Sequence, residues 1–149
     1  MFEKLNLPAF DIKLRRDEDG AIRVYDPMRE KWLVLTPEEW VRQHFVHYLT
    51  EVVGYPKAFI ANEVGLKFND MQRRCDTVVF HRDLTPACIV EYKRPSVKIT
   101  QKVFDQIARY NSVLGAAHLI VSNGLRHYCC HFAGEGYEFL RAIPDFNDL

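Results

Sequence analysis

The sequence predicts an α+β domain in which helices pack on a mixed β-sheet. Two stretches carry apolar residues at helical spacing, and apolar runs bounded by turn residues indicate strands before, between and after these helices. The resulting order is hairpin, helix, three strands, helix and hairpin. No repeat, low-complexity tract or linker rich in glycine, serine or proline divides the chain, so we expect residues 1–149 to form one domain.

The N-terminal third is predicted to contain a β-hairpin followed by a helix. The stretches DIKLRRDEDGAIRVYD and EKWLVL indicate short strands, and Asp19-Gly20 is a hairpin turn sequence. Thr36 is a residue type preferred at a helix N-cap, and Glu39 would complete a capping box. The helix should end before Gly54. Its core-facing residues are expected to be Val41, Phe45, Tyr48, Leu49 and Val52.

The remaining elements are three strands, a second helix and a second hairpin. Strands are predicted in AFIANEVGLKF, at about residues 75–80 and at about residues 87–93. The second helix should span about residues 100–114. Its apolar face is expected to consist of Val103, Ile107, Tyr110 and Leu114. Asn123-Gly124 indicates the turn of the last hairpin.

Composition and charge restrict the class of protein. With 48% hydrophobic and 27% charged residues, the chain has the composition of an ordinary soluble globular protein. It shows no secretory signal and no apolar run of membrane-spanning length, so we expect a cytoplasmic protein with no membrane partner. The formal net charge is zero, but residues 67–109 hold nine Lys/Arg and five Asp/Glu. This basic segment is either a solvated face or part of a nucleic-acid interface.

Charged residues flank the apolar core of the stretch RRCDTVVFHRDLTPACIVEYKRP. If its loop closes symmetrically, with Phe80 opposite Ala87, then Asp76 falls opposite Glu91 on the neighbouring antiparallel strand. Two carboxylates so placed repel each other, and Mg²⁺ or Mn²⁺ would remove the conflict because such ions prefer hard oxygen ligands. Strand alternation places Lys93 on the same face as Glu91. The alternative is a structural ion pair between Glu91 and Lys93.

These residues resemble the D-x(n)-E-x-K core of the PD-(D/E)xK nucleases. The ordered segments TPEEWVRQ, RRCDTVVF, IVEYKRP, QIARYN and VSNG, which span roughly residues 31–128, are similar to the nuclease-like N-terminal domain of type I restriction enzyme R subunits. The resemblance implies a restriction-endonuclease-like mixed sheet flanked by helices, preceded here by the N-terminal hairpin. It also implies metal-dependent hydrolysis of DNA by an endonuclease or a restriction- or repair-type nuclease.

The resemblance assigns roles to individual residues. Asp76 and Glu91 would be the metal ligands, with the backbone carbonyl of Tyr92 as a candidate third ligand. Lys93 would be the catalytic cation. Six basic residues are then expected to gather around the site and neutralise a phosphate backbone, namely Arg73, Arg74, Arg94, Lys98, Lys102 and Arg109.

The second helix and the glutamates of the first half would complete the site. Gln106 and Tyr110 match the Q-x-x-x-Y element of related nucleases, and Gln106 would contact the site or a DNA phosphate. The family often adds a glutamate from the first helix. Glu38, Glu39 and Glu63 are all candidates here, and their spacing does not separate them.

Two departures from the family pattern bear on function. Cys75 stands before Asp76 where the motif has proline, a variation that keeps the carboxylate in place. The chain also contains no G-x-x-x-x-G-K-[ST] motif, so translocase or specificity functions would come from a protein partner. The alternative function is a catalytically silent nuclease-fold module that binds DNA or a protein. These residues do not distinguish DNA from RNA as a substrate.

Other chemistry-bearing residues are expected to be structural. His44 and His47 should lie on a helix surface. His127 and His131 are four strand residues apart, about 13 Å, which is too far for one ion. Ser122 has no evident triad partners, so acyl transfer is not predicted.

Overall fold

The computed structural model, which describes residues 2–149, contains two α-helices and nine strands in two sheets. The three-stranded antiparallel sheet consists of β1 (Leu14–Arg16), β2 (Ile22–Asp26) and β3 (Lys31–Val34). The six-stranded sheet consists, in spatial order, of β4 (Ile60–Phe68), β5 (Met71–Phe80), β6 (Pro86–Tyr92), β7 (His118–Ser122), β8 (His127–Ala133) and β9 (Gly136–Leu140). The helices are α1 (Pro37–His47) and α2 (Gln101–Asn111). No helix of residues 2–149 is long and apolar enough to cross a membrane.

The larger sheet is mixed, which confirms the predicted α+β class. Strands β6 and β7 run parallel, and every other neighbouring pair is antiparallel. Parallel neighbours need a long crossover connection, and α2 lies in the segment that joins β6 to β7. Strand β9 was not predicted from the sequence; it extends the final hairpin by one strand at the edge of the sheet.

Helix α1 begins where the sequence predicts. The Oγ1 of Thr36 accepts a hydrogen bond from the backbone N–H of Glu39 over 3.0 Å, as an N-cap should. The predicted capping box is only half formed, because the Glu39 carboxylate does not return to the cap. It accepts hydrogen bonds from Arg29, Arg42 and Gln43 instead.

The end of the first helical segment differs from a regular α-helix. A π-helical turn, Tyr48–Val53, follows α1 and ends at Gly54, whose φ of +91° is in the left-handed region. Because a π turn contains more residues than an α turn, the side chains beyond it rotate relative to the α-helical pattern. Val52 is therefore 57% exposed, where the helical spacing predicted a core position, and Val53 packs against the core instead.

The buried face of α2 is displaced from the predicted one. Its buried residues are Phe104, Ala108 and Asn111. Leu114, just beyond the helix, is buried as predicted. Tyr110, which was expected in the core, is 38% exposed. The displacement leaves Tyr110 free to line a cavity between α2 and the sheet.

Apolar cores cover both faces of the larger sheet. The core that includes α1 contains Phe45, Leu49, Val79, Val90 and Ile120. The core that includes α2 contains Val78, Ile89, Phe104, Leu119 and Val121. Successive residues of β5, β6 and β7 thus alternate between the two cores, as side chains of a strand do. The central strands are therefore held rigidly between the two helices.

The hairpin of β5 and β6 carries a register shift near its loop. Phe80 pairs with Pro86 and not with Ala87, so the predicted symmetric closure is wrong at this end. The shift lies between Val79 and Phe80, as a β-bulge would place it. It does not reach the opposite end of the two strands.

Gly124 in the turn between β7 and β8 is predicted to be a position where alanine is strongly destabilising. Its φ is +84°, and a Cβ there would lie 2.7 Å from Leu5 Cδ2 and 3.1 Å from Val41 Cγ2, both buried. Gly134 also has a positive φ, +62°, but its surroundings are open. We expect Gly134→Ala to cost about 1–2 kcal/mol from backbone strain. Gly124→Ala should cost about 1–3 kcal/mol more from overpacking.

Urea denaturation of both variants measures these free energies of unfolding. Equal losses would show that Leu5 and Val41 do not restrict the turn.

Candidate active site

A cavity of about 440 Å³ lies beside α2, where β6 ends. The residues that line it are Glu38, Arg74, Asp76, Glu91, Tyr92, Lys93, Gln106, Ile107, Tyr110 and Asn111. This lining includes the four residues that the sequence analysis proposed for catalysis, namely Asp76, Glu91, Lys93 and Gln106. The structure thus brings together residues that are up to 30 positions apart in the chain.

Asp76 lies beside Glu91 because of the register of β5 and β6. Thr77 pairs with Val90, so the next position along each strand places Asp76 next to Glu91. The Oδ2 of Asp76 accepts a hydrogen bond from the backbone N–H of Tyr92 over 2.8 Å. This bond ties the Asp76 carboxylate to β6 itself.

Glu91 is electrostatically strained in the absence of a cation. Its Oε1 is buried and has no hydrogen-bond partner among the described residues. Burial, the charge of Asp76 and a hydrogen bond with that carboxyl raise the pKa of Glu91 to about 9, and the attraction of Lys93 is too weak to reverse this. Because the two carboxyls interact, Asp76 and Glu91 together keep a proton to higher pH than separate carboxyls would when no ion is bound. An orphaned carboxylate oxygen beside a second carboxylate fits the ligand chemistry of Mg²⁺ or Mn²⁺.

The protein by itself offers such an ion few ligands. Within residues 2–149, no three His, Cys, Asp or Glu side chains form a ready-made metal cluster. Asp76 and Glu91 would supply two ligands, and the remaining positions would go to a backbone oxygen, water or substrate phosphate. Mg²⁺ is commonly bound in this way, with one or two carboxylates and several waters.

Lys93 follows β6 directly and is held by the next strand. Its backbone N–H donates to the carbonyl of Ser122 at the end of β7 over 2.9 Å. The structural alternative required an ion pair between Glu91 and Lys93. Among the described side chains no such ion pair is formed, although the Lys93 charge is near enough to affect the pKa of Glu91. Lys93 is therefore placed to interact with a bound group in the cavity.

The three candidate glutamates have different surroundings. Glu38 lines the cavity, and burial together with the charge of Asp76 raises its pKa. Glu39 is occupied by the hydrogen bonds described for α1. Glu63 is occupied by Arg42 and Arg74. Glu38 is thus the glutamate whose carboxylate faces the same space as Asp76 and Glu91.

Arg42 was not among the site residues expected from the sequence, although its guanidinium lies between three carboxylates. Its side chain is only 4% exposed. Its guanidinium lies 3.2 Å from Glu39 Oε1, 2.7 Å from Glu63 Oε1 and 3.7 Å from Asp76 Oδ1. The available signal was helical spacing, since Arg42 precedes Phe45 by three residues on a face that is otherwise apolar.

The predicted gathering of basic residues is partial. Arg74 lines the cavity, and the guanidinium of Arg73 lies 4.0 Å from the ring centre of Tyr110, another lining residue. The other four are exposed but do not line the cavity, namely Arg94, Lys98, Lys102 and Arg109. Arg74 and Lys93 in the lining, with Arg73 beside it, therefore form a basic rim of the cavity.

Ser122 and His127 make a contact that sequence analysis did not predict. The Oγ of Ser122 lies 2.7 Å from His127 Nδ1, and His127 Nε2 lies 2.9 Å from the carbonyl oxygen of Asn6. Ser122 is fully buried and also accepts a hydrogen bond from the N–H of Gly124. The pair therefore ties the β7–β8 turn to the N-terminal segment, and the buried Ser122 hydroxyl is closed to a substrate.

The prediction that His44 lies on a helix surface is wrong. His44 is buried, its Nδ1 lies 2.8 Å from the carbonyl oxygen of Trp40, and burial lowers its pKa. Phe10 packs against both His44 and His47, with ring centroids 5.0 and 4.1 Å away. The N-terminal segment thus covers a helix face that the sequence pattern alone leaves open.

The mixed sheet, the helices on its two faces and the acidic cavity define a restriction-nuclease-like α+β domain. The chain matches the model of a protein family described as the N terminus of the type I restriction enzyme R protein, over residues 37–144. This region is most of the chain, and the protein therefore belongs to that family. The resemblance inferred from the sequence motifs is confirmed. No curated protein matches the chain.

Replacing Glu91 with glutamine should stabilise the metal-free protein increasingly as the pH rises from about 5 towards 9. The folded-state pKa of Glu91 lies above its unfolded value, so its ionisation opposes folding across this window. The effect is at most about 1.4 kcal/mol per pH unit. The difference in Tm between Glu91→Gln and wild type, measured in EDTA at several pH values, tests this. Glu51→Gln, on an exposed ion pair with Lys57, is the control. A difference that is constant with pH would contradict the assigned environment of Glu91.

Proposed function

We propose that the protein hydrolyses phosphodiester bonds in DNA with a divalent metal, Mg²⁺ or Mn²⁺, held by Asp76 and Glu91. The observation that carries the proposal is the pairing of these carboxylates around a buried Oε1 that has no hydrogen-bond partner in residues 2–149, with Lys93 in the same cavity. Family membership supports a nuclease-related function. When bound, the metal would offset charge on the scissile phosphate and lower the pKa of a water molecule.

The residues of this chain would act by holding and orienting. Asp76 keeps its position through Tyr92 N–H, so its other oxygen can serve as a ligand. Glu91 would hold the cation through its deprotonated carboxylate. Lys93 would orient the attacking water and offset the charge that develops in the transition state, where such interactions lower the barrier most. Gln106 would donate a hydrogen bond to a phosphate oxygen.

Glu38 is proposed as the glutamate that assists the metal site from the first helix. Its carboxylate shares the cavity with Asp76, whereas Glu39 and Glu63 are engaged by arginines. Burial is the largest cause of its raised pKa, and the negative charge of Asp76 adds to it. A divalent cation would offset that charge together with the repulsion between Asp76 and Glu91.

The partners proposed are DNA and a protein that supplies translocase or specificity functions. Arg74 and Lys93 in the cavity lining, and Arg73 beside it, place positive charge where a phosphate backbone would approach. A module that only binds DNA or protein is the competing proposal. It is less favoured because it gives the adjacent carboxylates no function and leaves the Glu91 oxygen without a partner among the residues that the structure describes.

Purified protein should nick or degrade DNA with Mg²⁺ or Mn²⁺ and stop when EDTA is added. Asp76→Ala and Glu91→Ala should abolish cleavage because each removes a metal ligand. Lys93→Ala should retain Mn²⁺ binding but lose about 10²-fold in rate, since its function lies in the transition state. Gln106→Ala should lose roughly tenfold, the value of one hydrogen bond. Gel assays of plasmid cleavage and calorimetric Mn²⁺ titrations measure these effects.

The exposed Glu135→Ala is the control for these variants. A folded wild-type protein that neither binds a divalent metal nor cleaves duplex, single-stranded or branched DNA would overturn the proposal.

Neighbouring glutamates of α1 provide a matched pair of variants. Glu38→Ala should weaken Mn²⁺ binding roughly tenfold, as loss of a supporting group at a metal site does. It should leave the free energy of unfolding nearly unchanged. Glu39→Ala should cost about 3 kcal/mol of stability, because it leaves Arg42 short of a buried partner. Calorimetry and urea denaturation separate the two effects, and the opposite assignment of losses would show that Glu38 is structural.

A further inference from the structure

Glu63 is in a backbone conformation that is unfavourable for its residue type. Its φ is +57°, in the left-handed region, although it lies within β4. The strands pair on both sides of it, Asn62 with Thr77 and Val64 with Cys75, so β4 continues in register past the distortion. A side chain with a Cβ pays about 1–2 kcal/mol for this conformation, which persists only where the surroundings compensate.

Two arginines hold the Glu63 carboxylate. Its Oε1 lies 2.7 Å from Arg42 Nη2, and its Oε2 accepts a hydrogen bond from Arg74 Nε over 2.8 Å. Arg42 is buried, whereas the Arg74 side chain is 70% exposed. Among the described residues, Glu63 is not part of the cavity lining. It therefore connects a buried cation behind the site to an exposed cation at its rim while lying outside the cavity lining.

On the buried side, Glu63 competes with Asp76 for the same nitrogen. Arg42 Nη2 is 2.7 Å from Glu63 Oε1 but 3.7 Å from Asp76 Oδ1. The stronger contact with Glu63 keeps the guanidinium from forming a close ion pair with Asp76. The Oδ1 of Asp76 is consequently left for another cation.

On the exposed side, Glu63 orients Arg74. An exposed arginine ordinarily samples many rotamers, and ordering it on binding costs free energy. The hydrogen bond to Nε holds the planar guanidinium in one direction and leaves its two terminal NH₂ groups for another acceptor. Arg74 lies two residues before Asp76 on β5, and both line the cavity. A guanidinium fork placed there matches the oxygens of a phosphate group.

We propose that Glu63 is a positioning residue that keeps Arg42 off Asp76 and directs Arg74 towards a backbone phosphate of the nucleic acid substrate. This inference rests on the proposed function. The two oxygens of the Glu63 carboxylate thus set the positions of two arginines. One of these, Arg42, affects the metal ligand Asp76, and the other, Arg74, would contact the phosphate.

The orientation of Arg74 by Glu63 is tested by the binding of fluorescent duplex DNA, measured by anisotropy in Ca²⁺ over a range of salt concentrations. Arg74→Ala should weaken binding and reduce the slope of log K against log salt by about 1, the value of one phosphate contact. Glu63→Gln should change the affinity and the slope in the same direction, although its side chain touches no DNA. The double variant should behave like Arg74→Ala alone, because the two residues act through one contact.

Two further variants separate orientation from general destabilisation. Arg74→Lys keeps the charge but not the fork, so adding Glu63→Gln to it should change binding little. Arg82→Ala, in the loop between β5 and β6 and so beyond the end of β5 that is farther from Arg74, should leave the salt slope unchanged. Calorimetric Mn²⁺ titration tests the contact between Glu63 and Arg42. Glu63→Gln should weaken Mn²⁺ binding because Arg42 then pairs with Asp76, whereas Arg74→Ala should leave Mn²⁺ binding unchanged.

The outcomes distinguish this inference from the proposed function. Wild-type protein that binds DNA with a steep salt dependence, while Arg74→Ala and Glu63→Gln keep the same slope and Mn²⁺ affinity, contradicts the inference alone. Wild-type protein that binds neither DNA nor a divalent metal contradicts both.

Discussion

The hydrogen bond from the Tyr92 N–H to Asp76 Oδ2 is the contact on which the arrangement of the site depends. It fixes one carboxylate of β5 against the end of β6, where Glu91 is half-buried with an oxygen that finds no hydrogen-bond partner in the described part of the chain. Bringing two carboxylates so close is unfavourable without a compensating cation, and burial together with the charge of Asp76 raises the pKa of Glu91. A divalent metal would remove this conflict, which makes the pair of carboxylates the centre of the proposed chemistry.

A chain of buried charges connects this centre to the N-terminal sheet. Asp26, fully buried at the end of β2, binds Arg29, and Arg29 reaches Glu39 on α1. Glu39 in turn contacts Arg42, which lies near Asp76. Strands β1 to β3 precede the part of the chain that matches the restriction R-protein family, residues 37–144. They are nevertheless joined to the candidate site by ion pairs with little exposure to solvent, and such pairs are costly to break singly.

The pairing of β5 with β6 near the site was predictable from the sequence because side chains alternate strictly along a strand. A one-residue error in the pairing of β5 with β6 would have moved Asp76 to the other face, and the shift at Phe80 lies far enough away to spare it. Helical positions were less predictable. The π turn exposed Val52, and the face of α2 was displaced so that Tyr110 turned outward. The choice of Glu38 over Glu39 and the position of Arg42 depend on contacts between distant elements, which residue spacing within one helix does not contain.

In the proposed function, Asp76 and Glu91 bind one divalent ion between them. Crystals soaked in Mn²⁺ and measured for anomalous scattering test it most directly. We expect one anomalous peak within about 2.0–2.3 Å of an oxygen from each carboxylate, with the Lys93 side chain facing the same cavity. The proposed metal site would be contradicted if the chain is folded as described but no Mn²⁺ lies between these carboxylates, whether or not Mn²⁺ binds elsewhere.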